Sequence, residues 1–215
     1  MRLKKVKDAR EMVEGSSYYI NNPIENRGKW KKVFQNDNDI HIEIGMGKGK
    51  FIIEMAKSNP NINFIGIEKY DSVMVKATNM LEKMEFMPNL KLILIDAEKI
   101  EDIFYQEIDR IYLNFSDPWP KARHEKRRLT SEKFLRRYEN IFRGRKEIVQ
   151  KTDNRTFFDY SYESIKAFGY KIDSVTYDLY SQNDASKVPT ENEEKFRNRG
   201  IKINRLKAHK DSNMN

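Results

Sequence analysis

The chain of 215 residues contains no cysteine, which excludes disulfides, thiolate zinc sites and cysteine nucleophiles together and fits a reducing, cytoplasmic compartment. Histidine is nearly as scarce. His41, His124 and His209 lie far apart with no ligand spacing, so no metal centre is expected. No apolar run approaches the roughly 20 residues of a membrane span, and no apolar segment of the secretory kind follows the basic N-terminus. The expectation is a soluble, unexported protein with no membrane partner. Positive charge is abundant: 41 Lys and Arg stand against 33 Asp and Glu, a net charge of +8 and a pI near 9.4. Such a balance favours a polyanionic partner over an acidic protein or a neutral metabolite.

The length suits one large α/β domain. Residues 1–35 read as a basic arm, flexible in part, with Arg2, Lys4, Lys5 and Lys7 and with breakers at Pro23 and Gly28. Residues 36–208 then form a single domain and 209–215 a tail. Short β-rich runs are predicted at 40–44, 63–67, 90–95, 109–114 and 146–152, separated by stretches of helical period, which is the pattern of βαβ units. The helices are read at 50–57, at 71–86, behind a Thr130–Ser131 cap, and around Phe158, Tyr162, Ile165 and Phe168. In the second of these, Val73, Met74, Ala77, Met80, Leu81 and Met84 form a stripe expected to face the core. Two further β-like segments, 170–179 and 201–206, flank a polar loop with no evident crossover helix, so that edge is predicted to be antiparallel. The fold class is α/β, a mostly parallel sheet with helices on both faces.

Ligand sites in such sheets lie beyond the carboxyl ends of the strands. The turn after the first strand reads Glu43-Ile44-Gly45-Met46-Gly47-Lys48-Gly49-Lys50, a G-x-G-x-G pattern. It is neither the dinucleotide fingerprint nor a P-loop, since Lys50 takes the third glycine's place and no Ser or Thr follows Lys48. Glu68 and Asp96 end the second and third strands, where acids accept from a ribose and an adenine edge. Together they describe a nucleoside-bearing cofactor without a demand for phosphate binding. After the fourth strand comes NFSDPWPKARHEKRR, Asn114 to Arg128. Here Asp117 sits in a proline-rigidified turn with Trp119, and Lys121, Arg123, Lys126, Arg127 and Arg128 supply charge for phosphates. Trp119 is placed either to stack on a purine or to pack on the prolines.

The glycine turn with its two strand-end acids resembles the Rossmann-like fold of class I S-adenosylmethionine-dependent methyltransferases. Adding the Asp-Pro-Trp-Pro-Lys segment with its basic tail, Lys151-Thr152-Asp153-Asn154 and Thr190-Glu191-Asn192-Glu193, the chain resembles the bacterial tRNA (guanine-N7)-methyltransferases from about Trp30 to the late strands. That resemblance implies methyl transfer from S-adenosylmethionine to N7 of a guanosine in the tRNA variable loop, giving 7-methylguanosine and S-adenosylhomocysteine. It implies cofactor contacts at Glu43, Gly45, Gly47, Gly49, Glu68, Asp96 and Asp117, with Asp117 also catalytic. Lys121, Asp153, Thr190, Glu191, Asn192 and Glu193 would hold the target guanosine. Arg123, His124, Glu125, Lys126, Arg127 and Arg128 would meet the RNA, and the protein would be a monomer or homodimer. Asn192 departs from the family, which usually has an aromatic there.

Guanine N7 carries an in-plane lone pair and no proton, so Asp117 is expected to orient the base and balance its developing charge, with no duty as a proton acceptor. Glu193 is expected to span the N1–H and N2 donors that adenine lacks. Two alternatives stay open on the residues: a methyltransferase acting on an amino group of another RNA or a protein, and a non-catalytic RNA-binding module.

Overall fold

The computed structural model describes residues 6–181 and 188–211. Its centre is a seven-stranded sheet in the order β3-β2-β1-β4-β5-β7-β6. The strands are β1 (Ile40–Ile44), β2 (Asn63–Glu68), β3 (Leu90–Leu94), β4 (Ile108–Asn114), β5 (Phe142–Thr152), β6 (Lys171–Thr176) and β7 (Asn204–Lys210). The first five run parallel, and β7 lies antiparallel between β5 and β6, the antiparallel edge that was expected. Every residue of β1 and β2 is buried, because a parallel strand covered on both faces meets no water.

Alternation divides the core in two. Ile40, Ile42 and Ile44 join Ile65 and Ile67 on one face, under α2 (Trp30–Phe34), α5 (Ile100–Ile103), α6 (Glu132–Ile141) and α7 (Arg155–Ala167). Phe64, Leu92, Tyr112 and Val149 face the other way, toward α1 (Ala9–Glu14), α3 (Lys50–Ser58) and α4 (Asp71–Leu81). The helix α4 stops at Leu81, short of the expected Phe86, and its stripe is narrower than predicted: Met74, Ala77 and Leu81 are buried, whereas Met80 is 37% exposed. Val75 and Thr78 fill the buried face in its place.

Two expectations are corrected. From Val6 to Gln35 the chain is not a free arm. The helix α1 packs on α4, Tyr18 and Ile20 exchange backbone bonds with Leu92 at 2.8 and 3.0 Å, and Trp30 is fully buried with its indole N–H on the Ile103 carbonyl. This segment covers the open edge of β3, which would otherwise present unpaired backbone groups. Arg2, Lys4 and Lys5 lie outside the described residues. The loop before β7 holds a further helix, α8 (Glu191–Arg197), and β7 runs to Lys210, past the boundary expected at 208. A seven-residue helix carries too little periodicity to be seen by pattern, though its Thr190-x-x-Glu193 start is a capping box.

Candidate functional site at the carboxyl ends of the strands

The strand order reverses between β1 and β4, and their carboxyl ends carry Glu43 and Asn114. Asn114 Nδ2 donates to Glu43 Oε1 at 2.8 Å, closing the floor of the crevice. The other Glu43 oxygen, Oε2, is buried without a hydrogen-bond partner among the described residues, as are Asn114 Oδ1 and Ser116 Oγ. Burial pushes the Glu43 carboxyl up to about 8, against the opposing pull of the Asn114 amide and the Lys151 charge.

Above this floor runs the glycine turn. Gly45, Gly47 and Gly49 all have positive φ, at 79°, 59° and 81°, a region open to glycine and strained for other residues. They differ in purpose. A Cβ at Gly45 or Gly47 would meet nothing within 4 Å, so that side of the turn faces open space, whereas one at Gly49 would stand 2.8 Å from Ala77 of α4. Glu68 at the end of β2 braces the turn: one oxygen accepts from Gly47 N at 3.0 Å, the other from Lys69 N and Tyr70 N at 2.7 and 3.1 Å. Burial raises its pKa and these N–H bonds lower it, with a further upward contribution from the charge of Asp117. Asp96 caps the short turn that follows β3, accepting from Glu98 N at 3.0 Å and pairing with Lys69 at 2.5 Å. Partial burial opposes its ionisation, but the Glu98 N–H and Lys69 outweigh it and hold the carboxyl below its ordinary value.

After β4 the backbone bends sharply. Phe115 and Trp119 have φ of 52° and 41°, so the turn holding Asp117 lies between two residues in the left-handed region. Such strain persists only where the surroundings impose it. Here Phe115 N donates to the Lys151 carbonyl at 2.8 Å, and the Arg128 guanidinium donates to the carbonyls of Pro118 and Trp119 at 3.1 Å each. Arg128 also lies 4.1 Å from the Tyr160 ring centroid. It was expected at the RNA, yet it is half-buried and committed to the turn. Asp117, Lys121, Arg123, Lys126 and Arg127 are exposed, and Glu125 bonds the Tyr160 hydroxyl at 3.1 Å. Trp119 packs between the edge of His124, 5.6 Å away, and the Arg127 guanidinium at 4.9 Å.

The helix α8 lies across the glycine turn. Glu191 pairs with Lys48, Glu194 pairs with Lys50 at 2.5 Å, and Phe196 meets Phe115 at 5.7 Å between centroids. Thr190 is buried and caps the helix, Asn192 is exposed on its first turn, and Asp153 is half-buried just beyond β5. Glu193, expected on a guanine edge, is fully buried instead. Its oxygens accept from Tyr180 Oη at 2.5 Å, Lys151 Nζ at 2.7 Å and Thr190 N at 3.3 Å. The residues that sequence reasoning left without a role are Lys48, Lys50, Lys151 and Tyr180. Only Lys151 had a signal, standing beside Asp153 in the quoted Lys-Thr-Asp-Asn run. The other three join the site through contacts of 13 to 144 residues' separation, which no local pattern reveals.

Among the described residues no group of three or more His, Asp and Glu is placed to hold a metal ion, and no helix is long and apolar enough to cross a membrane. His41, buried at the amino-terminal half of β1, is held neutral by burial and by nearby Arg110, its pKa lowered to about 3.

Residues 37–206 match the family described as "Putative methyltransferase". Over 213 residues the chain is 48% identical to the tRNA (guanine-N(7)-)-methyltransferase of Lachnoclostridium phytofermentans, covering 98% of this chain and 99% of that one. Against the enzyme of the same name from Geobacillus sp. the identity is 50%, over 97% of this chain and 95% of the relative. The 16S rRNA methyltransferase KamB shares the fold, with a TM-score of 0.65 at 13% identity, covering 86% of this chain and 94% of that one.

Proposed function

We propose, from the premise that this chain belongs to the tRNA (guanine-N7-)-methyltransferase family, that it transfers a methyl group from S-adenosylmethionine to N7 of a guanosine in the variable loop of tRNA. The observation that carries the reading is what gathers at the carboxyl ends of β1, β2 and β4: a glycine turn with open space beside it, a buried carboxyl at Glu43, and an exposed Asp117 whose turn continues into four exposed cations. The products are 7-methylguanosine and S-adenosylhomocysteine, and the compartment is the cytoplasm.

The residues present fit S-adenosylmethionine. Space over Gly45 and Gly47 admits a ligand against the backbone, and Glu43 Oε2 is a buried polar atom with no hydrogen-bond partner among the described residues. Glu68 has acceptor capacity left for a ribose and Asp96 for a base edge, since a carboxylate takes about four hydrogen bonds. When bound, the cofactor supplies an electrophilic methyl group on a sulfonium. Asp117 orients the purine and keeps a negative charge where the ring becomes cationic, so no proton has to be removed before the new bond forms. The fixed turn from Phe115 to Trp119 supplies alignment, the larger share of the acceleration. Lys121 and Asp153 hold the guanosine.

The exposed cations carry tRNA affinity by displacing counterions. Lys126→Ala is expected to leave the Tm unchanged and to reduce the salt slope of tRNA binding by about one. Arg128→Ala is expected to do the reverse, lowering Tm and rate with little change in slope, because its guanidinium is spent on the turn. Equal slopes for the two variants would remove the distinction. The assignment of the loop is tested with a tRNA whose variable-loop guanosine is replaced by adenosine. Methyl incorporation should vanish, and full incorporation would place the target elsewhere.

A further inference from the structure

Lys151 has no part in the contacts proposed for cofactor, guanosine or phosphate, yet the Asp117 turn, α8 and the first turn of α3 all touch it. Its carbonyl accepts from Phe115 N at 2.8 Å, the first strained residue of the Asp117 turn. Its ammonium pairs with Glu193 of α8 at 2.7 Å and stands 5.5 Å from the ring centroid of Phe51, in the first turn after the glycine loop. Its charge also reaches Glu43 on the floor.

Besides the Phe196–Phe115 ring contact, two ion pairs seat α8, and both are weak. Lys48–Glu191 and Lys50–Glu194 are solvent-exposed pairs, of a kind that contributes little. The Lys151–Glu193 pair is different: the side chains are 3% and 0% exposed, and Tyr180 Oη and Thr190 N complete the carboxylate's shell. Burial presses the Lys151 pKa down while Glu193 draws it back up, so the carboxylate keeps the ammonium in place. A buried pair of this kind adds little net stability over an apolar replacement, but removing one partner strands the other's charge. Its value lies in fixing direction.

We propose that Lys151 is a positioning residue for methyl transfer, a buried post that holds α8 and the Asp117 turn in register with the glycine loop. The proposal rests on the methyl-transfer reading given above. It accounts for Glu193 being an internal anchor: α8 is aligned through Glu193, and the residues around it, Thr190 to Asn192, are presented to the guanosine side.

The test separates positioning from mere folding. Lys151→Met strands the Glu193 carboxylate and is expected to lower both Tm and rate. In the double variant Lys151→Met/Glu193→Gln no charge is left unpaired, so Tm is expected to recover. Single-turnover methyl transfer to tRNA should nevertheless stay about a hundredfold slow, the scale of a misplacement near 1 Å. S-adenosylmethionine affinity, read by calorimetry on both variants and the wild type, should change far less than the rate. Tyr180→Phe, which deletes one hydroxyl from the same shell, should give a smaller loss confined to the same step. A double variant that regains the wild-type rate along with its Tm would overturn the proposal, as would a cofactor affinity that falls as far as the rate. Should Lys151→Met not fold, the double variant and Tyr180→Phe decide by the same criteria. Wild-type protein that fails to label tRNA would defeat the functional reading itself, a result distinguishable from any of these.

Discussion

Asp117→Asn is expected to slow methyl transfer about 10²–10³-fold, the loss typical when one group aimed at developing charge is removed. The substitution is nearly isosteric, and the turn is fixed from outside, by Arg128 on two carbonyls and by Phe115 N on Lys151, so the geometry should survive it. What is lost is the negative charge beside a purine that turns positive. Two further readings follow. The wild-type rate should stay flat across neutral pH, because N7 has no proton for a base to take. Cofactor affinity should fall much less than the rate, since Glu43, Glu68 and Asp96 remain. A rate in the variant that regains wild-type level at raised pH, or a wild-type profile with a clear neutral inflection, would argue for proton abstraction after all.

The second large effect concerns stability. Glu43 is 2% exposed and its carboxyl is pushed from 4.5 up to about 8, first by burial. Between those values the folded protein keeps a proton that the unfolded chain has released, so stability falls as pH rises through that window and levels off above it. At about 1.4 kcal/mol per pH unit the full cost is on the order of 3–5 kcal/mol. Glu43→Gln is neutral at every pH and keeps an oxygen for Asn114 Nδ2. It is expected to match the wild type near the acid end of the window and to exceed it by up to that amount at pH 8, read as denaturation midpoints across pH. Above about pH 8, where the wild-type carboxylate is ionised and Oε2 accepts, the same variant should bind S-adenosylmethionine more weakly, because its amide nitrogen only donates. Parallel stability curves for variant and wild type would contradict the assignment of a buried, reluctant carboxyl. The opposition of effects is the usual mark of a functional residue retained at a cost to the fold.

Much of this fold was legible because the parallel sheet is written in runs of buried β-branched residues. The strands at Ile40–Ile44 and Asn63–Glu68 begin where the pattern places them, and the antiparallel edge was expected because no crossover helix was evident between the last two β-like segments. The glycine turn and its strand-end acids were legible for the same reason, since topology puts strand ends side by side. The illegible parts have a common cause. Helices α1, α2 and α8 are five to seven residues long, too short for a 3.6-residue period to declare itself, and tertiary packing sets them. Charged residues misled in the opposite direction. Arg128 and Glu193 belong to motifs that suggest solvent and ligand, yet the half-buried Arg128 and the buried Glu193 both bond to groups of the protein 9 to 42 residues distant in sequence. A motif names the residues of a site; which of them face the ligand depends on burial.

The most direct measurement incubates the purified chain with unmodified tRNA and methyl-labelled S-adenosylmethionine, then digests the RNA to nucleosides. The account predicts label in 7-methylguanosine, at a site where the chain cleaves after reduction and aniline treatment. Label on an exocyclic amine, or none in the RNA at all, would contradict it.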